Sequence, residues 1–195
     1  TPPVAIALER VTGVPARLWN NLEANYRADL ERAKERERLA EYADWPRQKE
    51  IPVSAMIAEG WIKKWANKID QLIEVLRYYR VSSPAEWENV WCAPNALLRT
   101  SSVFAANPGA VSAWLCRGEL QAASLTCAPY DESRFRVALT EIRALTVEPP
   151  AVFQPKMTAL CADAGVAVAF VHELHGIRAS GATRWLTPQK ALIQL

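Results

Sequence analysis

Gly165-Val166-Ala167-Val168-Ala169-Phe170-Val171 is the stretch where the period of the apolar residues changes from about 3.6 to about 2. β-branched residues in such a run suit a buried pleated surface, so 166–171 is predicted to be a strand. Two further strands are predicted downstream, Ala182 to Leu186 and Ala191 to Leu195, joined by Thr187-Pro188-Gln189-Lys190 as a tight turn. Upstream of Gly165 the periodicity is helical. Helices first and strands last predict an α+β fold, mostly helical, with a small C-terminal β-sheet.

The run Ala191 to Leu195 reads as a core strand that needs a partner strand and a covering helix, because its backbone groups and its buried face must both be satisfied. No turn or polar tail follows it. At the other end, Thr1-Pro2-Pro3 opens directly into a helical pattern, with Thr1 as candidate cap and proline near the first helical position. Both ends lead to the expectation that the chain is a fragment of a longer protein.

Working back from Gly165, a helix is predicted over 153–164 and another over 131–145, the second with Phe135, Leu139 and Ile142 on its apolar face. Ala106-Asn107-Pro108-Gly109 marks an internal boundary, after which Val111, Trp114, Leu115 and Leu120 resume a helical pattern. Asn95 to Arg99 reads as a loop or a brief helix. Ser83-Pro84-Ala85-Glu86 is a helix start, with a serine cap, a proline and an acid in the first turn. Between Val53 and Val81, two amphipathic stretches split near Gly60 carry Trp61, Trp65, Ile69, Leu72, Ile73 and Leu76 as their apolar set.

At the N-terminus, Ala5, Leu8 and Val11 form a stripe ended by Gly13, and Val14-Pro15 opens a second helix with Leu18, Trp19, Leu22 and Tyr26 on one face. From Arg27 to Glu50, basic and acidic residues alternate at spacings of three and four. That pattern is a solvated helix and not a basic arm for nucleic acid.

Composition narrows the classes. A net charge of +2 over 195 residues gives no bulk attraction to nucleic acid. No run approaches the roughly 18 apolar residues of a membrane span, and no basic region precedes an apolar stretch as in a secretory signal. A cytoplasmic setting without membrane contact is expected. Cys92, Cys116, Cys127 and Cys161 lack the C-x-x-C spacing of zinc or redox motifs and read as small buried hydrophobes. The eight Trp, mostly at helical spacing, read as core.

Candidate chemistry is sparse. His172-Glu173-Leu174-His175 holds both histidines, but they are three apart where a zinc helix needs i and i+4. A loop at a strand exit is the better reading. Arg178, Ser180, Thr183 and Arg184 before Trp185 suit a hairpin with a polar face. Ser180 has no adjacent base or nucleophile-elbow pattern, and no phosphate-cradling glycine loop occurs. No catalytic or metal-ligating residue is assigned.

Ala5-Ile6-Ala7-Leu8-Glu9-Arg10-Val11-Thr12-Gly13-Val14-Pro15 through Trp19, Leu22 and Tyr26 resembles the closing two helices of the phage-repressor-like helix-turn-helix domain, in the XRE-family form of HigA-type antitoxins. Glu148-Pro149-Pro150, Cys161 to Val168, and Ser180-Gly181-Ala182-Thr183-Arg184-Trp185-Leu186 through Lys190 to Leu195 resemble the opening of an ImmA/IrrE-type metallopeptidase domain fused behind such a helix-turn-helix. The resemblance implies 1–28 as the end of a DNA-binding domain, 29–52 as a charged helical connector, 53–105 as a helical spacer and 106–195 as the N-terminal part of an incomplete zincin-like domain.

The recognition helix, which such domains place in the major groove, and the His-Glu-x-x-His helix would both lie outside this sequence. The resemblance therefore implies the middle portion of a transcriptional regulator or antitoxin-like repressor, itself neither DNA-binding nor an enzyme and without a cofactor. Zinc would belong to the full-length parent. A second expectation is part of a zinc metallopeptidase that cleaves a repressor, with Ala182, Thr183, Arg184, Trp185 and Leu186 as the strand that pairs with substrate. A third is a dimerisation or protein-binding module, with Leu18, Trp19, Leu22 and Tyr26 at a homodimer interface and core packing as the competing reading of those four residues. Partners implied for the parent are DNA, through the absent N-terminal helices, and a toxin or repressor protein.

Overall fold

The computed structural model describes residues 1–91, 97–100, 107–174, 177 and 179–195. The chain opens with a helical hairpin, α1 (Pro2–Thr12) and α2 (Ala16–Ala40). Gly13 ends α1 with φ 73, the left-handed conformation that glycine adopts without a Cβ penalty. The corner is fastened twice: Ala16 N–H donates to Glu9 Oε2 at 2.8 Å, and Trp19 Nε1 donates to the Val14 carbonyl at 3.2 Å.

α2 runs unbroken for 25 residues, about 37 Å at 1.5 Å per residue, straight across the limit expected at 28/29. Its exposed surface carries Glu23–Arg27, Asp29–Arg32, Glu31–Lys34 and Glu35–Arg38 ion pairs at helical spacing, as the charge alternation predicts. Only its last part meets the body of the molecule, where Leu39 is buried and Arg36 pairs with Asp70.

Short helices α3 (Trp45–Gln48) and α4 (Val53–Ala58) lead to α5 (Lys68–Tyr79) and α6 (Pro84–Trp91). The Asn67 side chain caps α5 by accepting from Ile69 and Asp70 N–H. At α6, Ser83 Oγ accepts from Glu86 N–H, while the Glu86 carboxylate accepts from the Ser82 N–H and hydroxyl. α5 buries Leu72, Val75, Leu76, Tyr78 and Tyr79. Trp65, expected in the apolar set of this region, instead lies in the loop before α5 and is 44% exposed. Its N–H is held by Gln71 Oε1, so the turn geometry directs the indole outward.

The molecule is α+β and mostly helical, with one small sheet. β1 (Leu97–Thr100), β2 (Val166–Ala169), β3 (Ala179–Thr187) and β4 (Lys190–Gln194) form it in the order β1-β3-β4-β2. Residues 97–99 are thus strand where a loop or brief helix was expected; β1 takes its register from β3, far along the chain. β4 lies between β2, to which it is parallel, and β3, to which it is antiparallel. The expectation that the last strand lacks a partner is corrected: the chain supplies one on each side.

Three helices cover the sheet: α7 (Pro108–Ser124) on one face, α9 (Pro150–Asp163) on the other, and α8 (Glu132–Ala144) packed on α9. Strand parity separates the two cores. Ala167, Ala169, Ala182 and Leu192 face α7 and join a cluster that reaches back to Leu39, whereas Val166 and Val168 pack with Met157 and Cys161 of α9. The described helices of the expected spacer therefore share a core with α7 and the sheet. α8 contacts this second core through Phe135 and Ile142 with Ala138 buried between them, and Leu139, expected on that face, is one position off the stripe and exposed.

Cys116 and Cys161 are free and buried, and Cys127 is free and half-buried; Cys92 lies outside the described residues. Burial pushes the Cys161 thiol up to about 11 and the Cys116 thiol further in the same direction, so both behave as buried apolar groups.

Candidate functional site

The four residues proposed for an interface lie on the projecting hairpin. Leu18, Leu22 and Tyr26 are 47%, 52% and 65% exposed, so core packing does not account for them. Trp19 differs: it is half-buried, with its indole N–H tied to the corner. Val4, Leu8, Trp19, Leu22 and Tyr26 line a groove of 360 Å³ between α1 and α2. Ala5 is the single buried residue of α1, and Val4, Ile6 and Val11 are exposed. An 11-residue helix gains little stability from its backbone alone, so this apolar surface lacks the cover that usually holds such a helix.

The substrate-strand candidates occupy β3. An added strand needs an open edge, and Thr183 and Ala182 are already paired with Leu97 and Leu98 of β1. The strand-addition reading is corrected for these two residues. Arg184 and Trp185 pair with β4 on one side, and among the described residues no strand flanks their other side. Side chains alternate along β3: Ala182 is buried toward α7, whereas Trp185 points to the opposite face, edge-on to Tyr130 at 4.8 Å between centroids. Leu186 packs against the α7-side core. Arg184 forms an ion pair with Glu119 of α7 and stacks over Trp91 at 5.6 Å.

His172 follows the sheet in an irregular segment, with Nδ1 3.0 Å from Glu59 Oε1. His175, Gly176 and Arg178 lie outside the described residues, and Ser180 is described only as part of β3. Among the described residues no group of three or more His, Cys, Asp and Glu side chains is placed to hold a metal ion.

Two features were not foreseen from the sequence. A groove of 580 Å³ runs between α2 and α5, lined by Leu39, Trp65, Ile73 and Leu76 with Arg36 and Asp70 at its wall. The Arg36 guanidinium holds the Asp70 carboxyl below its ordinary range, and Lys68 does the same for Asp44 through a 3.0 Å contact. The second feature is Glu119, whose carboxyl is pushed up by burial against the opposing pull of Arg184 and Arg80.

No family model matches the chain, and neither curated proteins nor solved structures give a match.

Proposed function

We propose that the chain is the assembly module of a helix-turn-helix regulator of the antitoxin type, pairing with a second copy of itself through the α1–α2 hairpin. The observation that carries this reading is the exposed apolar stripe of Leu18, Leu22 and Tyr26 on a helix that stands away from the core. Charge favours a second copy over nucleic acid: the acids and bases of α2 pair with one another at helical spacing, leaving no unbalanced field to attract a polyanion. A two-fold interface is self-complementary by construction, and an apolar stripe between balanced charges meets that requirement.

The family part of the proposal draws support from the Gly13-Val14-Pro15 corner between two helices, the arrangement that the sequence resemblance implies. On this reading DNA contact and zinc chemistry belong to the parent's other segments, and this chain is not an enzyme. A cytoplasmic setting suits the free Cys116, Cys127 and Cys161 among the described residues. No helix among the described residues is long and apolar enough to cross a membrane.

Sedimentation velocity over a range of concentrations tests the proposal. The expected result is a dimer that Leu22→Glu converts to monomer without loss of helical circular dichroism. A chain that stays monomeric throughout, or a dimer indifferent to Leu22→Glu, would overturn it.

A further inference from the structure

The groove between α2 and α5 is apolar along most of its lining. Leu39, Ile73, Leu76 and Val81 line it together with the Trp65 side chain, and its volume is 580 Å³. Small-molecule sites span roughly 300–1,000 Å³, so the space suits a compact ligand. Trp65 is 44% exposed, yet it is held in place. Gln71 accepts the Trp65 N–H at 3.0 Å and donates to the Lys63 carbonyl at 3.1 Å, while the Glu74 carboxylate accepts the indole Nε1–H and the Lys63 N–H at 3.4 Å each. Two side chains of α5 thus strap the loop, and the strap keeps an apolar ring at the groove and partly in water. A loop that only closed the turn would gain by folding that ring inward, at about 25 cal/mol per Å² of apolar surface covered.

Charge complementarity selects the occupant. Three guanidinium groups and three carboxylates also line the groove, and each already has a partner: Arg32 pairs with Asp29, Glu35 with Arg38, Arg36 with Asp70 and Arg77 with Glu74. A charged ligand would displace one of these pairs or enter without a counter-ion, and both cost free energy. A neutral ligand leaves all four pairs intact. The indole favours an aromatic body over an aliphatic one, because ring pairs add to the gain from covered area alone.

We propose that the α2–α5 groove binds a small neutral aromatic molecule, with Trp65 as the ring it packs against. Such a ligand touches both helices and so fastens the projecting α2, adding to the buried Leu39 and the Arg36–Asp70 pair. The site is independent of self-association, since it lies at the other end of α2 from Leu18 and Leu22.

Two dyes of one skeleton test the proposal on the full chain: N-phenylnaphthylamine, which is neutral, and anilinonaphthalene sulfonate, which adds a negative charge. Titrations followed by dye fluorescence are expected to show saturable binding of the neutral dye at one site, about tenfold tighter than that of the sulfonate. Trp65→Ala removes the aromatic ring, and Ile73→Trp fills the space from α5; each is expected to weaken the neutral dye about tenfold. Val147→Ser, which removes a different apolar side chain that is 88% exposed, is the control and leaves binding unchanged. The two groove variants lie on different elements, so one still decides the matter where the other fails to fold. Absence of saturable binding by the neutral dye, equal affinity for the two dyes, or full affinity in either groove variant with wild-type circular dichroism would overturn it.

Discussion

A Cβ at Gly118 would stand 1.9 Å from Gln194 Oε1 and 2.4 Å from its amide carbon. Gln194 has little room to retreat, because it is fully buried and its Nε2 donates to the Trp114 carbonyl at 2.7 Å. A glycine inside a helix normally gains about 1 kcal/mol on replacement by alanine. Here the sign reverses: Gly118→Ala is expected to cost about 1–3 kcal/mol, the range of an overpacked core, read from the urea midpoint. Lys190 is a second such residue, its Nζ donating to the Ala122 and Leu125 carbonyls at 2.7 Å each and so closing the end of α7. Lys190→Met keeps the stem and removes both bonds, and a loss of about 1–3 kcal/mol by the same measurement is expected. Neither residue stood out in the sequence. Gln194 read as one polar position in an apolar strand, and its partner is 80 residues away; separation of that size leaves no local signal.

Elements whose cause is local were legible: the Gly13 corner, the serine start of α6, the start of α8 around Asp131 and the change of period after Gly165 all fall where the residues predict. β1 was not, because four residues carry too short a pattern and their pairing is set by β3. The docking of α2 on α5 was also hidden, since Arg36 and Asp70 are unremarkable members of charged runs. Its consequence is a pH dependence. The Asp70 and Asp44 carboxyls are held below their ordinary value of 3.8 in the folded chain by Arg36 and Lys68. Their contribution is present above that value and is lost as pH falls through the lower folded values. Glu119 runs the other way: raised by burial, it favours the folded state below its ordinary value of 4.5 and loses that contribution as pH rises through the raised one. Asp70→Asn should therefore shrink the drop in urea midpoint between neutral and acid pH. High salt should shrink it in the wild type as well, because these groups are solvent-accessible. An unchanged drop in the variant would show that Arg36–Asp70 does not fasten α2.

At the scale of the molecule, burial is distributed unevenly. α7 is enclosed by the sheet and the helices before it, whereas α1 and the first half of α2 have each other and little else. Sequence spacing showed that Leu18, Leu22 and Tyr26 share a face, but periodicity records only that a face is apolar and not what covers it. For that reason spacing alone favours core packing for these residues, and their exposure points the other way. The same unevenness predicts a hierarchy of opening. Hydrogen exchange should be slowest in α7 and β4 and fastest in α1 and residues 16–31 of α2, whose helical bonds lack tertiary support. Pairing of two hairpins would bury the stripe and slow exchange there alone, so protection of residues 2–31 should rise with protein concentration while α7 stays constant. Leu22→Glu should abolish that concentration dependence and leave the rest of the pattern intact. Protection of the hairpin equal to that of α7 at the lowest measurable concentration would mean that the arm is stable alone, and the exposed stripe would then need a different explanation from self-association.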